Sequence, residues 1–239
     1  MKEFIRTGWL LGEEAVDRLW KSRVAVFGIG GVGSYVTEAL ARAGVGSLYL
    51  TDSDDVDITN INRQLIALQS TVGRKKVDVA KERIRDIQPQ TEVEVFDCFY
   101  GPETAEQYPY ETFDYIVDAI DSVSSKLLLI EKAKEYGVPV LSCMGVGNKL
   151  HPEKLVIDDI YKTSVCPLAR TMRRELRKRG IERCEVLYST EEPVSVKLPE
   201  DFVMPEGKRQ VPGSISFVPS VAGLMIAGAV IRRLAGLEE

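Results

Sequence analysis

Between Thr51 and Gln64 the chain reads TDSDDVDITNINRQ, four aspartates in six positions, two asparagines and an Arg-Gln pair behind them. Upstream lies GIGGVG, where Gly28, Gly30 and Gly33 fit G-x-G-x-x-G and Gly31 is an added glycine. Such a turn lets backbone N–H groups at a helix start approach an anionic phosphate. Asp52 stands about 20 residues further on, where a carboxylate suits ribose hydroxyls. The motif alone describes a nicotinamide or flavin enzyme, its default reading. The residues after Asp52 argue against that default, because a dehydrogenase needs no further charged groups there. Here Asp54, Asn60, Arg63, Gln64 and then Lys76 follow. Arg63 and Lys76 beside a nucleotide would neutralise a triphosphate and its leaving group. Asp121, closing a later apolar run, suits Mg²⁺, which takes one or two carboxylates plus phosphate oxygens. Singly, each is an ordinary surface charge. Jointly, behind this turn, they read as equipment for breaking ATP.

Such residues need a scaffold that brings strand ends together. RVAVFGIGGVGSYVTEALARAGVGSLYLTD reads strand, turn, helix, strand: Val24 to Phe27, then Ser34 to Ala43 stopped by Gly44, then Ser47 to Thr51. Lys75 to Ile87 is an amphipathic helix with Val77, Ala80 and Ile84 on one side. TEVEVFD is a strand, Phe113 to Asp121 a buried-type strand ending in acids, SSKLLLIEKAKEYG a helix and VPVLSCMGVG a strand. This alternation predicts an α/β fold with a doubly wound, mostly parallel sheet. The reading is one domain over residues 1–239. Residues 1–150 form the nucleotide-binding core; 151–239 hold a basic helix, a mobile loop and a C-terminal core helix.

The chain has 239 residues, 44% hydrophobic, with net charge −5, so it is no generic polyanion binder. Lys162 to Arg183 departs from that average, with eight Lys/Arg against two Glu. On a helix, Leu168, Met172 and Leu176 share one face and Arg170, Arg173, Arg174 and Arg177 the opposite one. That segregation points to RNA phosphates, against the commoner fate of a solvated basic face. Cys98, Cys143, Cys166 and Cys184 form no C-x-x-C pair and His151 is the one histidine, which argues against a zinc site. Scattered cysteines suit a reducing, cytoplasmic setting, and the first residues do not read as a signal peptide. In the uncharged run Gln210 to Ile231, proline and glycine leave only Ser220 to Ile231 for a helix. That is too short for a membrane span, so a buried helix is expected. Lys197 to Gly213 has no clear periodicity and reads as a loop over the site, where Lys208 and Arg209 could touch RNA.

GIGGVGS, TDSDDVDITNINRQ, VGRKKVDVAKERI and DAIDSVSSK together resemble the ubiquitin-activating-enzyme-like (HesA/MoeB/ThiF) adenylyltransferase family. The resemblance implies a Rossmann-like, ThiF-type ATP-binding fold in a homodimer using ATP and Mg²⁺. It implies a carboxylate that attacks the α-phosphate, giving an acyl-adenylate. By motif position Asp52 binds ribose; Asp54, Asn60, Arg63, Gln64 and Lys76 line the phosphates; Asp121 holds Mg²⁺; and Arg6 reaches the partner subunit's site. Further pieces, DDIYKTSVCPLARTMRRELRKRGI, VLYSTEEPV and GSISFVPSVAGLMIAG, resemble one branch of that family. Its substrate is tRNA, where the threonyl carboxylate of a modified adenosine is adenylated and closed into a ring with net loss of water. A sulfur-relay partner protein fits this setting. One rival is activation of the C-terminal glycine of a ubiquitin-like sulfur carrier, which shares every ATP-site residue but should not need the arginine row. A second is a nucleotide-binding protein without chemistry.

Overall fold

A computed structural model describes residues 2–197 and 211–237. Two short helices, α1 (Ile5–Leu11) and α2 (Glu13–Lys21), lead into β1 (Arg23–Phe27). There follow α3 (Gly33–Ala43), β2 (Ser47–Thr51), α4 (Lys76–Ile87), β3 (Glu92–Phe96), β4 (Tyr115–Asp118), α5 (Val123–Tyr136) and β5 (Val140–Cys143). The chain continues through β6 (Leu155–Asp159), α6 (Pro167–Lys178), β7 (Glu185–Ser189) and α7 (Phe217–Leu234).

The described residues build a seven-stranded sheet in the order β3-β2-β1-β4-β5-β7-β6. All neighbours run parallel except β6, which pairs antiparallel with β7 at the edge. Leu48, Leu50, Ile116, Val117 and Leu141 are fully buried, as strands covered on both faces require. The order of travel reverses between β1 and β4, so a crevice opens there at the carboxyl ends of the strands. The glycine turn after β1, the acidic loop after β2 and the turn after β4 all meet at that edge.

The predicted doubly wound sheet is present, with three corrections. Past residue 150, where only helices and a loop are named from the sequence, β6 and β7 extend the sheet. β4 ends at Asp118, so Asp121 lies in the turn beyond the strand and Asp118 is the strand-terminal acid. The last helix begins at Phe217, ahead of Pro219. Proline is tolerated in a first helical turn, where its missing N–H has no intrahelical partner to lose. At 18 residues α7 is by length and composition long and apolar enough to cross a bilayer, yet 44% of it is buried inside the protein. Its closest neighbour is α3. A side chain at Gly223 would stand 2.5 Å from the Val32 carbonyl oxygen, so only glycine lets the two helices lie this close. Of the loop from Lys197 to Gly213, residues 198–210, with Lys208 and Arg209, fall outside the described residues.

Candidate active site

The glycines of the turn serve two different ends. Gly28 has φ +88°, and a Cβ there would meet the Ala119 carbonyl oxygen at 2.6 Å; one at Gly33 would meet the Gly28 oxygen at 1.8 Å. The fold itself demands glycine at both positions. A Cβ at Gly31 would meet Pro219 at 3.2 Å, whereas one at Gly30 would meet nothing nearer than Gln64 Nε2 at 3.8 Å. Nothing among the described residues therefore forbids a side chain at Gly30, and the open backbone there is space for a ligand. No side chain caps the N-terminus of α3, which starts at this turn, so its dipole is available to an anion.

The loop after β2 supplies the charged groups. Asp52 accepts from Ile29 N at 2.7 Å and from Asp54 N at 2.9 Å, so one carboxylate joins the glycine turn to the acidic loop. Burial pushes its pKa above the ordinary aspartate value, with Lys76 opposing. Lys76 is the first residue of α4 and is buried; its Nζ sits 2.7 Å from Asp54 Oδ2 and 3.8 Å from Asp52 Oδ1. Asn60 is buried, and its Oδ1 accepts from Asp57 N at 3.1 Å while Asp57 caps the turn from the other side. Its side-chain carbonyl thus shapes the loop. Arg63 donates to the Thr59 carbonyl and to Asn62 Oδ1, each at 2.9 Å. Its stem lies against the glycine turn, 3.5 Å from where a Cβ on Gly31 would be. Among the described residues Gln64 Oε1 is buried without a hydrogen-bond partner. A buried acceptor left unmet costs about 1–3 kcal/mol, and this one belongs to the side chain nearest Gly30.

The end of β4 joins a buried group that the motifs of the sequence did not reveal. Asp118, Lys126 and Ser142 are each 0% exposed. Lys126 Nζ is 3.0 Å from Asp118 Oδ1, and Ser142 Oγ donates to Asp118 Oδ2 at 2.5 Å. The signal was present: Lys126 shares a helix face with Ile130 and Ala133, both buried. Asp121 stands exposed three residues past Asp118. Among the described residues no group of three or more His, Cys, Asp or Glu is placed to hold a metal ion. The burial of Cys143 and Cys184 pushes both thiols up to about 12, which leaves little thiolate for nucleophilic chemistry.

Two further candidate regions lie on α1 and α6. Arg6 is exposed on α1, a helix that also leaves Ile5, Trp9 and Leu10 between 53% and 83% exposed. On α6, Ala169, Met172 and Leu176 are buried and Leu168 only partly so. Arg170, Arg174 and Arg177 face solvent as expected. Arg173 does not: it is half-buried and donates to the Thr163 carbonyl at 2.7 Å and to its hydroxyl, because its position flanks the apolar stripe. Arg174 and Lys178 reach Glu175, Arg179 reaches both Glu175 and Glu131, and the Arg177 guanidinium lies 5.4 Å over the Tyr161 ring.

The ThiF family model matches residues 6–239. A Bacillus subtilis protein named tRNA threonylcarbamoyladenosine dehydratase is 44% identical over 98% of this chain and 95% of that protein. The solved structure of the Escherichia coli tRNA N6-threonylcarbamoyladenosine dehydratase, TcdA, in complex with ATP superposes with a TM-score of 0.87. It is 33% identical and covers 98% of this chain and 94% of that one. A Candida glabrata adenylyltransferase and sulfurtransferase, UBA4, is 33% identical, but over only 60% of this chain and 32% of that protein.

Proposed function

Because the chain belongs to the ThiF family, we propose that it is an ATP-dependent enzyme that dehydrates N6-threonylcarbamoyladenosine in tRNA. The observation that carries this reading is the extent of the likeness. It runs over 98% of the chain to a protein named for that reaction, through α6 and α7 and not only through the nucleotide end. The likeness to the adenylyltransferase and sulfurtransferase stops at 60%, so activation of a carrier protein's C-terminal glycine is not favoured.

The crevice suits ATP on its own evidence. Gly30 leaves open backbone, the α3 N-terminus is uncapped, and Gln64 Oε1 waits for a donor beside them. The ribose hydroxyls lie on Asp52, and Asn60 holds the loop that carries Arg63 and Gln64. Arg63 and Lys76 offset charge on the phosphates as the threonyl carboxylate oxygen attacks the α-phosphorus and pyrophosphate leaves. Asp54 holds Lys76 in place at 2.7 Å. A nucleophile in the same modified side chain then attacks the acyl carbon, and AMP carries away the carboxylate oxygen. The tethered geometry gives this step a large proximity advantage, so no enzyme nucleophile is needed, in keeping with the high-pKa thiols of Cys143 and Cys184. Asp121 fits Mg²⁺: a single exposed carboxylate suits an ion that keeps waters and phosphate oxygens as its other ligands. When bound, Mg²⁺ neutralises phosphate charge.

The tRNA backbone lies across Arg170, Arg174 and Arg177. The apolar side chains of α1 pack in a homodimer, and Arg6 enters the partner's site from that helix. The work is then cytoplasmic, and a sulfur-relay protein is a further partner to test by co-purification. The test is mass spectrometry of nucleosides from threonylcarbamoyl-modified tRNA after incubation with the protein, ATP and Mg²⁺, with mild digestion. Loss of one water that depends on ATP is expected. An unchanged nucleoside, with folded protein that binds ATP, overturns the reading.

A further inference from the structure

We propose that Asp118, clamped by Lys126 and Ser142, is a positioning residue: it fixes the turn 119–122 against the glycine turn and thereby sets where Asp121 stands. The proposal rests on the reading of Asp121 as the carboxylate nearest the Mg²⁺-bound phosphates.

The geometry shows a turn held from several sides. Asp118 Oδ1 accepts from Ile120 N at 3.1 Å, which fixes the backbone between Asp118 and Asp121. Its other oxygen accepts from Ser142 on β5, and Lys126 ties it to α5, whose N-cap Ser122 closes the same turn. Ala119 N donates to the Phe27 carbonyl at 2.8 Å, and the Ala119 carbonyl fills the place a Gly28 side chain would take. A shift of this turn therefore moves the glycine turn and Asp121 together.

Stability is a poor account of the triad. Desolvating two opposite charges costs about as much as their attraction returns, and apolar replacements of a buried pair are often neutral or stabilising. What an apolar trio cannot supply is an acceptor for Ile120 N–H. The hydrogen bond that shapes the turn is the feature that calls for Asp118, and Lys126 and Ser142 are what make a carboxylate tolerable in that dry position.

The test compares two charge-free double variants of the full chain. Asp118→Asn/Lys126→Met keeps an acceptor for Ile120 N–H; Asp118→Ala/Lys126→Met removes it. Calorimetric affinity for ATP with and without Mg²⁺, and amide hydrogen exchange of residues 118–122, are read for both. The alanine version is expected to lose about tenfold in Mg²⁺·ATP affinity, with metal-free ATP little changed and exchange in the turn faster by about tenfold. The asparagine version is expected to stay within about twofold of the unaltered protein. Equal values for the two variants overturn the proposal. If the alanine version does not fold, Ser142→Ala decides: a shift of about threefold in the same two readouts supports the proposal and none overturns it. Asp121→Asn separates the two possible failures. If it lowers Mg²⁺·ATP affinity while the alanine version does not, only the positioning role falls. If it has no effect, the reading of Asp121 falls, and exchange in the turn alone decides whether Asp118 holds it.

Discussion

The crevice edge of the sheet and the outer face of α6 both gather charge, and they do so in opposite ways. At the edge, Asp118 and Lys126 are 0% exposed and Lys76 only 5%, each with partners fixed by the fold. On α6, Arg174, Lys178 and Arg179 share one carboxylate, Glu175, and hold its pKa down to about 2. Solvent-screened pairs of that kind contribute little to stability and can be exchanged for phosphate at little cost. Buried pairs cannot change partners without unfolding their surroundings. The first arrangement fixes distances; the second leaves positive charge that, on the proposed reading, tRNA phosphates draw on with an affinity that salt controls.

The largest expected break in this contrast comes from Lys76→Ala. It removes the cation between Asp52 and Asp54 and leaves both carboxylates facing the phosphates. Single-turnover formation of AMP should fall about 100-fold or more while the fold persists; an unchanged rate would mean that the edge does no phosphate chemistry. The glycines sharpen the point. Gly28→Ala forces a positive φ and a clash with Ala119, and should lower stability by about 1–3 kcal/mol in denaturant unfolding. Gly30→Ala should leave unfolding unchanged yet weaken ATP binding by about tenfold. If both variants behave alike, the division of the turn into fold glycines and ligand glycine is wrong.

On the other side of the comparison, changing Arg170, Arg174 and Arg177 together to Glu should abolish tRNA binding without altering ATP binding. The three replaced by Ala should flatten the salt dependence of tRNA affinity by about two logarithmic units per decade of salt. Arg173→Ala should leave that slope alone and cost about 1–2 kcal/mol of stability through its lost bonds to Thr163. A flattened slope in Arg173→Ala would return that residue to the RNA face. The smallest effect is one of pH. Because burial raises the Asp52 pKa, the ionised carboxylate proposed to accept from ribose is lost as pH falls, starting above the value of about 3.9 typical of an exposed aspartate. ATP affinity followed between neutral pH and the onset of acid unfolding should decline earlier in the unaltered protein than in Asp52→Asn, whose weaker binding stays flat.

Much of this edge was legible before any coordinates. Spacing alone placed the glycine turn between a strand and a helix, Asp52 at a strand end and Lys76 at a helix start, because local periodicity decides such features. Asp118 was not legible, since its partners come from residues 126 and 142 and only the packed sheet brings them together. That Asn60 also holds the loop through Oδ1 went unread because the Asp57 capping pattern was overlooked, and Arg173 read as outward because a helical wheel does not show where the neighbouring Thr163 loop lies. Pro219 misled for another reason: it breaks helices in their interiors but not in their first turn, and sequence alone did not say which this was.

The close contact of α7 with α3 at Gly223 has a consequence for how the protein is made. The strands and the glycine turn of the crevice leave the ribosome first, but the helix that begins at that turn keeps an uncovered apolar flank until Phe217–Leu234 has emerged. Arg18, on α2, is likewise joined to the Ala235 carbonyl beyond that last helix. A nascent chain stopped before Phe217 thus carries the glycine turn and the acidic loop without the helix that covers α3. The last helix therefore closes the fold, and a chain that lacks it exposes the apolar surface that favours aggregation.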